Sequence, residues 1–111
     1  MKAEKKIVGN VMPFKALARL GEVVLPASAW VEKTGYWENV DSLYAQEVAI
    51  PNITPYTKVD LLPSAEQVAI FHNKDIAFLP ENEGGVVTVY AIGDKPTMDY
   101  TMQVQMTEVA T

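Results

Sequence analysis

The chain contains no cysteine and a single histidine, His72. Without cysteine it cannot form a disulfide framework, a zinc–thiolate site or a thiol nucleophile. One histidine excludes a metal site that takes two or more histidines from one chain. A Ser–His–acid triad would depend on His72, and no nucleophile-elbow motif surrounds any of the serines, which are Ser28, Ser42 and Ser64. We therefore expect a protein that is not an enzyme and uses no cofactor.

Basic residues and long apolar runs are also scarce. Nine lysines and arginines stand against fourteen acidic residues, which gives a formal net charge of −5. Nucleic-acid binding needs a basic face, and the one basic cluster, Lys2, Lys5 and Lys6, is diluted by Glu4. No apolar run approaches the ~18–20 residues that span a bilayer, and none follows the N-terminal lysines as in a secretory signal. We predict no nucleic-acid partner, no membrane insertion and synthesis in a cytoplasm.

The chain is rich in apolar residues: 49% of its 111 residues are hydrophobic. That is enough for one domain with a real core. Residues 44–50, 57–61 and 99–109 alternate between apolar and polar positions, which predicts half-buried strands. In the last of these, the apolar side carries Tyr100, Met102, Val104 and Met106. Residues 86–92 are β-branched or aromatic on both faces, which is typical of a central, buried strand.

One helix interrupts the strands. Ser64 and Gln67 have the spacing of a capping box, which predicts a short helix over about 64–73. Residues 76–79 form a further short strand, and the glycines of residues 81–85 favour a hairpin turn. The sequence therefore predicts a mainly β fold, a small antiparallel β-sandwich-like domain with one short helix and an N-terminal arm.

The N-terminal arm is predicted over residues 1–24, before a β domain at 25–111. Pro13 and Gly21 bracket a short segment, and proline at the start with glycine just past the end is typical of a helix, here of about two turns. A brief strand is predicted to follow at 22–25. Phe14, Leu17 and Leu20 recur at a spacing of three and would form one apolar edge of that helix. Because so short a helix does not persist alone in water, we expect these three side chains to anchor the arm on a partner or on the domain.

Two further features are candidate binding surfaces. Tyr36 and Trp37 lie in a loop without strand alternation, so they either present a sugar- or protein-binding surface or pack into the core. Trp30 is expected to fill the interior of the sandwich. On the polar side of the last strand, Thr101, Gln103 and Gln105 carry no charge, which suits either an interface with another subunit or a solvated face.

Three acidic residues in turns are candidate ligands for a metal ion. Glu81, Glu83 and Asp94 lie in turns that flank the strand at 86–92, where their oxygens could gather around Ca²⁺. Their spacing matches no calcium-binding loop. The alternative is that these carboxylates keep the turns soluble.

Several stretches together resemble a small module of phages and prophages of Firmicutes, found in or beside tail-fibre and other virion structural genes. The resemblance covers roughly residues 25–109. It is carried by LPASAW (25–30), YAQEVAIPNIT (44–54), TKVDLLP (57–63), SAEQ (64–67) and GVVTVYAIGDKP (85–96), followed by the alternating C-terminal strand.

The resemblance implies a non-enzymatic structural protein of a tailed-bacteriophage virion, with a β-sandwich-like fold. The expected place is the tail fibre, tail tip or baseplate, with the arm attached to other virion proteins and the β domain projecting as part of a homo-oligomer. The alternatives are a capsid decoration or head-fibre protein, and a module that binds a glycan or protein on the host surface.

Overall fold

The computed structural model describes residues 15–110, with side chains for residues 18–108. Over this range the fold is mainly β, as predicted. A 3₁₀ turn, Ala27–Ala29, separates the first two strands. The elements are β1 (Lys15–Leu25), β2 (Val31–Thr34), β3 (Ser42–Val48), β4 (Lys58–Leu62), α1 (Ala65–Asn73), β5 (Ile76–Glu83), β6 (Val86–Gly93) and β7 (Tyr100–Ala110).

The strands form two antiparallel sheets that pack face to face. One sheet has three strands in the order β1-β7-β4, and the other has four in the order β2-β3-β6-β5. β7 and β6 are therefore interior strands with a partner on each side. The prediction of a central strand at residues 86–92 is confirmed.

The main core lies between the sheets and follows directly from the alternation of β7. Its residues Tyr100, Met102, Val104 and Met106 are all buried. They face Val87, Val89 and Ala91 of β6, and Trp30 also lies in this core, as predicted. Burial of this apolar set, at about 25 cal/mol per Å², is the main force that holds the sheets together.

An aromatic cluster closes the core beneath α1. The ring of Phe71 on α1 meets Phe78 and Tyr100 edge to face, at centroid distances of 4.8 and 4.9 Å. Trp30 stacks on the other side of Phe78 at 5.6 Å. These contacts fix the helix against both sheets, because Phe78 belongs to one sheet and Tyr100 to the other.

The helix begins as the sequence predicts. Ser64 Oγ accepts a hydrogen bond from the Gln67 amide at 3.2 Å, and Gln67 Oε1 accepts one from the Ser64 amide at 3.0 Å. Gln67 Nε2 also donates to the carbonyl of Thr101 at 2.7 Å. Since β4 ends at Leu62, opposite Gln103, the Gln67 side chain satisfies a β7 carbonyl that β4 does not reach.

Glycines permit the two sharpest turns. Gly84 and Gly85 join β5 to β6 with φ values of +69° and +100°, which a two-residue hairpin requires and other residues rarely adopt. Gly93 ends β6 with φ +103°, and a Cβ there would lie 2.0 Å from the carbonyl oxygen of Asp75. That close approach lets the Asp94 amide donate to the same oxygen at 3.0 Å.

The predicted helix within the N-terminal arm is wrong. Residues 15–25 form β1, which pairs with β7 along its whole length, from Lys15 opposite Ala110 to Leu25 opposite Tyr100. A two-turn helix is marginal in water, whereas this ladder satisfies the backbone and buries Val23 and Leu25 in the core. The predicted boundary between residues 24 and 25 falls within β1.

Two of the three predicted anchor residues lie in the described part of the chain. Phe14 lies outside the described residues, Leu17 lies in β1, and the Leu20 side chain is exposed. Residues three positions apart share a face of a helix but not of a strand, so positions 17 and 20 of β1 do not form one edge.

Candidate functional site

The aromatic loop between β2 and β3 folds over the outer face of the four-stranded sheet. Trp37 packs against Tyr90 of β6 at a centroid distance of 5.0 Å, and Tyr36 lies 5.6 Å from Trp37. Gly35 and Asn39, at φ +64° and +68°, allow the chain to turn back on itself. The loop thus covers a second apolar cluster, made of Leu43, Ala45 and Tyr90 with Trp37, Val40 and Ile92.

The two aromatic residues of this loop have different surroundings. Trp37 is half-buried and packs on the second cluster, so its ring holds the loop down. Tyr36 is 47% exposed, yet its ring lies 5.8 Å from that of Tyr90. Of the two predicted surface residues, Tyr36 is therefore the one whose ring reaches solvent over a fixed support.

A chain of hydrogen bonds links Tyr36 to an acidic residue. The Tyr90 hydroxyl donates to Glu83 Oε2 at 3.1 Å, and the Tyr36 and Tyr90 hydroxyls are 3.2 Å apart. Because Tyr90 gives its only proton to the carboxylate, Tyr36 is the donor to Tyr90. Thr88 Oγ1 donates to Glu83 Oε1 at 3.4 Å. The Tyr36 oxygen thereby keeps its lone pairs as acceptors.

The same surroundings raise the pKa of Tyr90 far above its ordinary value of 10.0. Burial of the ring is the largest cause, because a phenolate would lose its hydration there. The hydrogen bond that Tyr90 donates to Glu83 raises the pKa further, as does the negative charge of Glu83. The Tyr90 hydroxyl therefore keeps its proton at an alkaline pH at which an ordinary tyrosine loses it.

A cleft of ≈ 500 Å³ opens beside the loop, and we call it the tyrosine cleft. Its volume lies within the range typical of small-molecule sites. The lining combines an aromatic ring, hydroxyls, carboxylates and one ammonium group. Its residues are Ala29, Val31, Lys33, Tyr36, Ala45, Gln46, Glu47, Glu83, Thr88 and Tyr90. Such a set can hold a polar ligand that has one apolar face.

The outer face of the three-stranded sheet is the second candidate surface, and we call it the β7 face. Its middle strand presents Thr101 and Gln103, both exposed, and Gln105, which is half-buried. On β1, Val24 pairs with Thr101 and Leu20 pairs with Gln105, and these two apolar side chains are 57% and 64% exposed. The β7 face is defined by these five residues.

Charged groups also lie on this side of the sheet. Glu22 is exposed on β1 between Leu20 and Val24, opposite Gln103. On β4, Lys58 Nζ lies 3.6 Å from Asp60 Oδ2, and Asp60 pairs with Gln105. The surface is therefore a strip of apolar and uncharged polar groups with one acidic residue near its centre and an ion pair at its margin.

The acidic turn residues do not come together. Glu81 and Glu83 lie near the Gly84–Gly85 end of the β5–β6 hairpin, whereas Asp94 follows its opposite end. The seven residue steps between these ends place them roughly 23 Å apart. Among residues 15–110, no three histidine, cysteine or acidic side chains are grouped so as to hold a metal ion. His72 is exposed on α1.

The network of Glu83, Thr88 and Tyr90 was not foreseen from the sequence, although a signal for it was present. The two glycines at 84–85 fix a two-residue hairpin, and this sets Glu83 opposite Val86. Alternation along β6 then puts Thr88 and Tyr90 on the face opposite Val87 and Val89. Register and alternation together would have placed all three polar groups on one surface.

Within the described part of the chain, no helix combines the length and the apolar character needed to span a membrane. Searches against protein-family models, curated proteins and solved structures give no significant match to this chain.

Proposed function

We propose that this chain is a non-enzymatic structural protein of a tailed-bacteriophage virion, associated with the tail fibre, tail tip or baseplate. The segment before β1 attaches to another virion protein, and the β sandwich projects from it. The chain forms a homo-oligomer in that setting. A place on the capsid, as a decoration or head-fibre protein, is the alternative within the same class.

The observation that supports this proposal best is the composition of the β7 face. Leu20 and Val24 expose most of their apolar surface beside Thr101 and Gln103. Covering such a strip with a second copy buries the apolar area of Leu20 and Val24. Glu22 is the one ionised group between them, and a pairing that leaves its carboxylate in water avoids the cost of desolvating it. An isologous pairing repeats each contact by symmetry, which multiplies a modest patch into a stable assembly.

The proposal of a virion location is tested on particles. Phage particles induced from the source bacterium are purified on a density gradient, and their proteins are identified by mass spectrometry. We expect this chain to co-purify in a fixed ratio to the major structural proteins, and gold-labelled antibody to mark the tail. Labelling of the head would move the protein to the capsid alternative. Absence from particles, despite expression in the induced cells, would refute the proposal.

Self-association is tested on the purified full chain. Sedimentation velocity should show an oligomer that the double substitution Leu20→Glu, Val24→Glu converts to monomer, because with Glu22 of each copy only negative charges would meet across a two-fold interface. The matched control is Tyr56→Glu, Val68→Glu, which adds the same charge at exposed apolar residues outside the β7 face. An unchanged mass for the first variant would exclude this face as the interface.

The attachment segment is tested by removing residues 1–14, which leaves β1 intact. The shortened chain should keep the melting temperature of the full chain but fail to join particles assembled in a complemented knockout host. Normal incorporation would show that attachment lies elsewhere.

The second candidate function is a module that binds a glycan or protein on the host surface. The exposed Tyr36 ring, supported from behind by Trp37 and Tyr90, favours it. The two functions are compatible, since a projecting virion protein can also contact the cell.

A further inference from the structure

We propose that the tyrosine cleft is a binding site for an uncharged pyranose sugar, with the Tyr36 ring under the sugar and Glu83 on its hydroxyls. This inference deepens the second candidate function and rests on it. It does not depend on whether the protein resides in a virion.

The Tyr36 ring is held in a fixed position at the edge of the cleft. The ring is 47% exposed, but two neighbouring rings hold it at centroid distances of 5.6 and 5.8 Å. Its hydroxyl is tied to that of Tyr90 at 3.2 Å. A ring held in place before binding loses little conformational freedom when a ligand covers it. The C–H face of a pyranose is the complementary surface, because its hydrogens carry partial positive charge and the face of the aromatic ring is negative.

Glu83 has spare hydrogen-bonding capacity. Its two oxygens each accept one hydroxyl, from Thr88 at 3.4 Å and from Tyr90 at 3.1 Å. A carboxylate has about four acceptor positions, so about two remain. The side chain is anchored by these bonds while its residue is exposed to the cleft. Two neighbouring equatorial hydroxyls of a sugar match a carboxylate that is held in this way.

The charge balance of the cleft disfavours an anionic ligand. Glu47 and Glu83 contribute two negative charges and Lys33 one positive charge. A phosphorylated or carboxylated ligand would therefore meet a net negative lining, whereas a neutral ligand with many hydroxyls would not. A neutral polyol also uses the mixture of donors and acceptors, since Lys33 donates and the carboxylates and the Tyr36 oxygen accept. An organic cation is attracted by the net charge but would use only the acceptors.

The size of the tyrosine cleft also suits a sugar. The cleft of ≈ 500 Å³ is open along one side. This suits one or two rings of a chain that continues into solvent, as at the surface of a polysaccharide. A site of this kind binds weakly as a single copy and gains strength by repetition in an oligomer.

The test is an NMR titration of the ¹⁵N-labelled full chain. The probes are methyl α- and β-glucopyranoside, methyl β-galactopyranoside and N-acetylglucosamine, with choline as a cationic comparison. At about 20 mM, even millimolar binding is detected. We expect at least one sugar to shift the amide signals of Tyr36, Thr88 and Tyr90 in a saturable manner, and choline to leave them unchanged.

Substitutions then test whether Tyr36 stacks on the sugar and whether Glu83 accepts its hydroxyls. Tyr36→Leu keeps an apolar side chain but removes the aromatic face, and Glu83→Gln keeps an acceptor for Tyr90 but removes the carboxylate. Each should weaken sugar binding by tenfold or more, about 1.4 kcal/mol. The matched controls are Tyr56→Leu and Glu66→Gln, an exposed tyrosine and an exposed glutamate outside the cleft, and these should change affinity less than twofold. Unchanged amide spectra away from the substituted site confirm that each variant is folded.

Three results would overturn the proposal. They are no saturable shift with any of the four sugars, shifts confined to residues outside the cleft, and binding that Tyr36→Leu and Glu83→Gln leave intact. Binding of choline alone would instead identify a cation site. Loss of the sugar site would leave the virion proposal standing, because particle composition tests that separately.

Discussion

The outer faces of the two sheets differ in how far the chain itself covers them. On the four-stranded sheet, the loop at residues 35–41 covers Leu43 and Tyr90, which creates a second apolar cluster and leaves a cleft at its edge. On the three-stranded sheet, the strand of Thr101 and Gln103 stays uncovered between its neighbours. Within the described chain, one sheet is therefore buried on much of both faces and the other on one.

The difference originates in the strands themselves. β6 carries Val87 and Val89 on its inner face and Tyr90 and Ile92 on its outer face, so this part of the outer face needs a cover. β7 carries threonine and glutamine outside, which water hydrates well. We infer that the first outer face is built for a small ligand and the second for a flat partner.

The largest loss of stability is expected when the ring beneath the loop, that of Tyr90, is removed. Tyr90 is 1% exposed and contacts both aromatic loop residues. Tyr90→Ala should lower the free energy of unfolding by about 3–5 kcal/mol, as for other buried aromatic truncations. Denaturant unfolding measures the loss. Tyr56→Ala, at a tyrosine that is 88% exposed, is the control and should cost less than about 0.5 kcal/mol.

A smaller loss is expected for the loop tryptophan. Trp37→Ala removes a half-buried ring from the second cluster and should cost about 1–3 kcal/mol. Tyr36→Ala should cost less, because much of that ring is already in solvent. If thermal melting ranked Tyr36 above Trp37, the roles assigned to the two residues would have to be exchanged.

Alkaline titration tests whether the second cluster keeps Tyr90 protonated. The folded-state pKa of Tyr90 is raised above 10.0, so above that pH the unfolded chain releases a proton that the folded chain retains. The stabilisation is complete below pH 10 and declines as the pH rises further, by at most about 1.4 kcal/mol per unit. Tyr90→Phe should flatten this decline in melting temperature. An equal slope in both proteins would mean that other groups cause it.

The mildest effect is expected on the uncovered face. Threonine favours strands and is polar enough for an exposed position. Replacing both Leu20 and Val24 with threonine should therefore change the free energy of unfolding of the monomer by less than about 0.5 kcal/mol. The same substitutions should weaken self-association, which sedimentation measures. A large loss of stability without any change in association would make these residues part of the fold rather than of an interface.

Much of the fold was predictable because its signals are local. The alternation of β7, the doubly apolar β6, the capping box of Ser64 and Gln67 and the glycine hairpin at 84–85 each act over a few residues. All four are confirmed. β2 was missed because its four residues are all exposed and lack an apolar face. β5 runs to Glu83, beyond the predicted 76–79, because the hairpin continues its ladder through Pro80.

The errors arise where distant residues decide the structure. Residues 15–21 have helical punctuation, yet pairing with residues 104–110 makes them a strand, and no local pattern reveals that partner. For the tyrosine cleft, the sequence offered Tyr36 and Trp37 as equals. Only the packing of the folded loop on the second cluster distinguishes Trp37, which is half-buried there, from Tyr36, whose ring meets solvent.

The position of β7 between β1 and β4 has a consequence for biosynthesis. Both neighbours leave the ribosome long before their shared partner, since Leu25 pairs with Tyr100 and Lys15 with Ala110. Until then, β1 and β4 have no template, and the nascent chain carries unpaired strands that other polypeptides can recruit. A premature stop codon before residue 100 would therefore abolish the whole three-stranded sheet rather than fray one end of it.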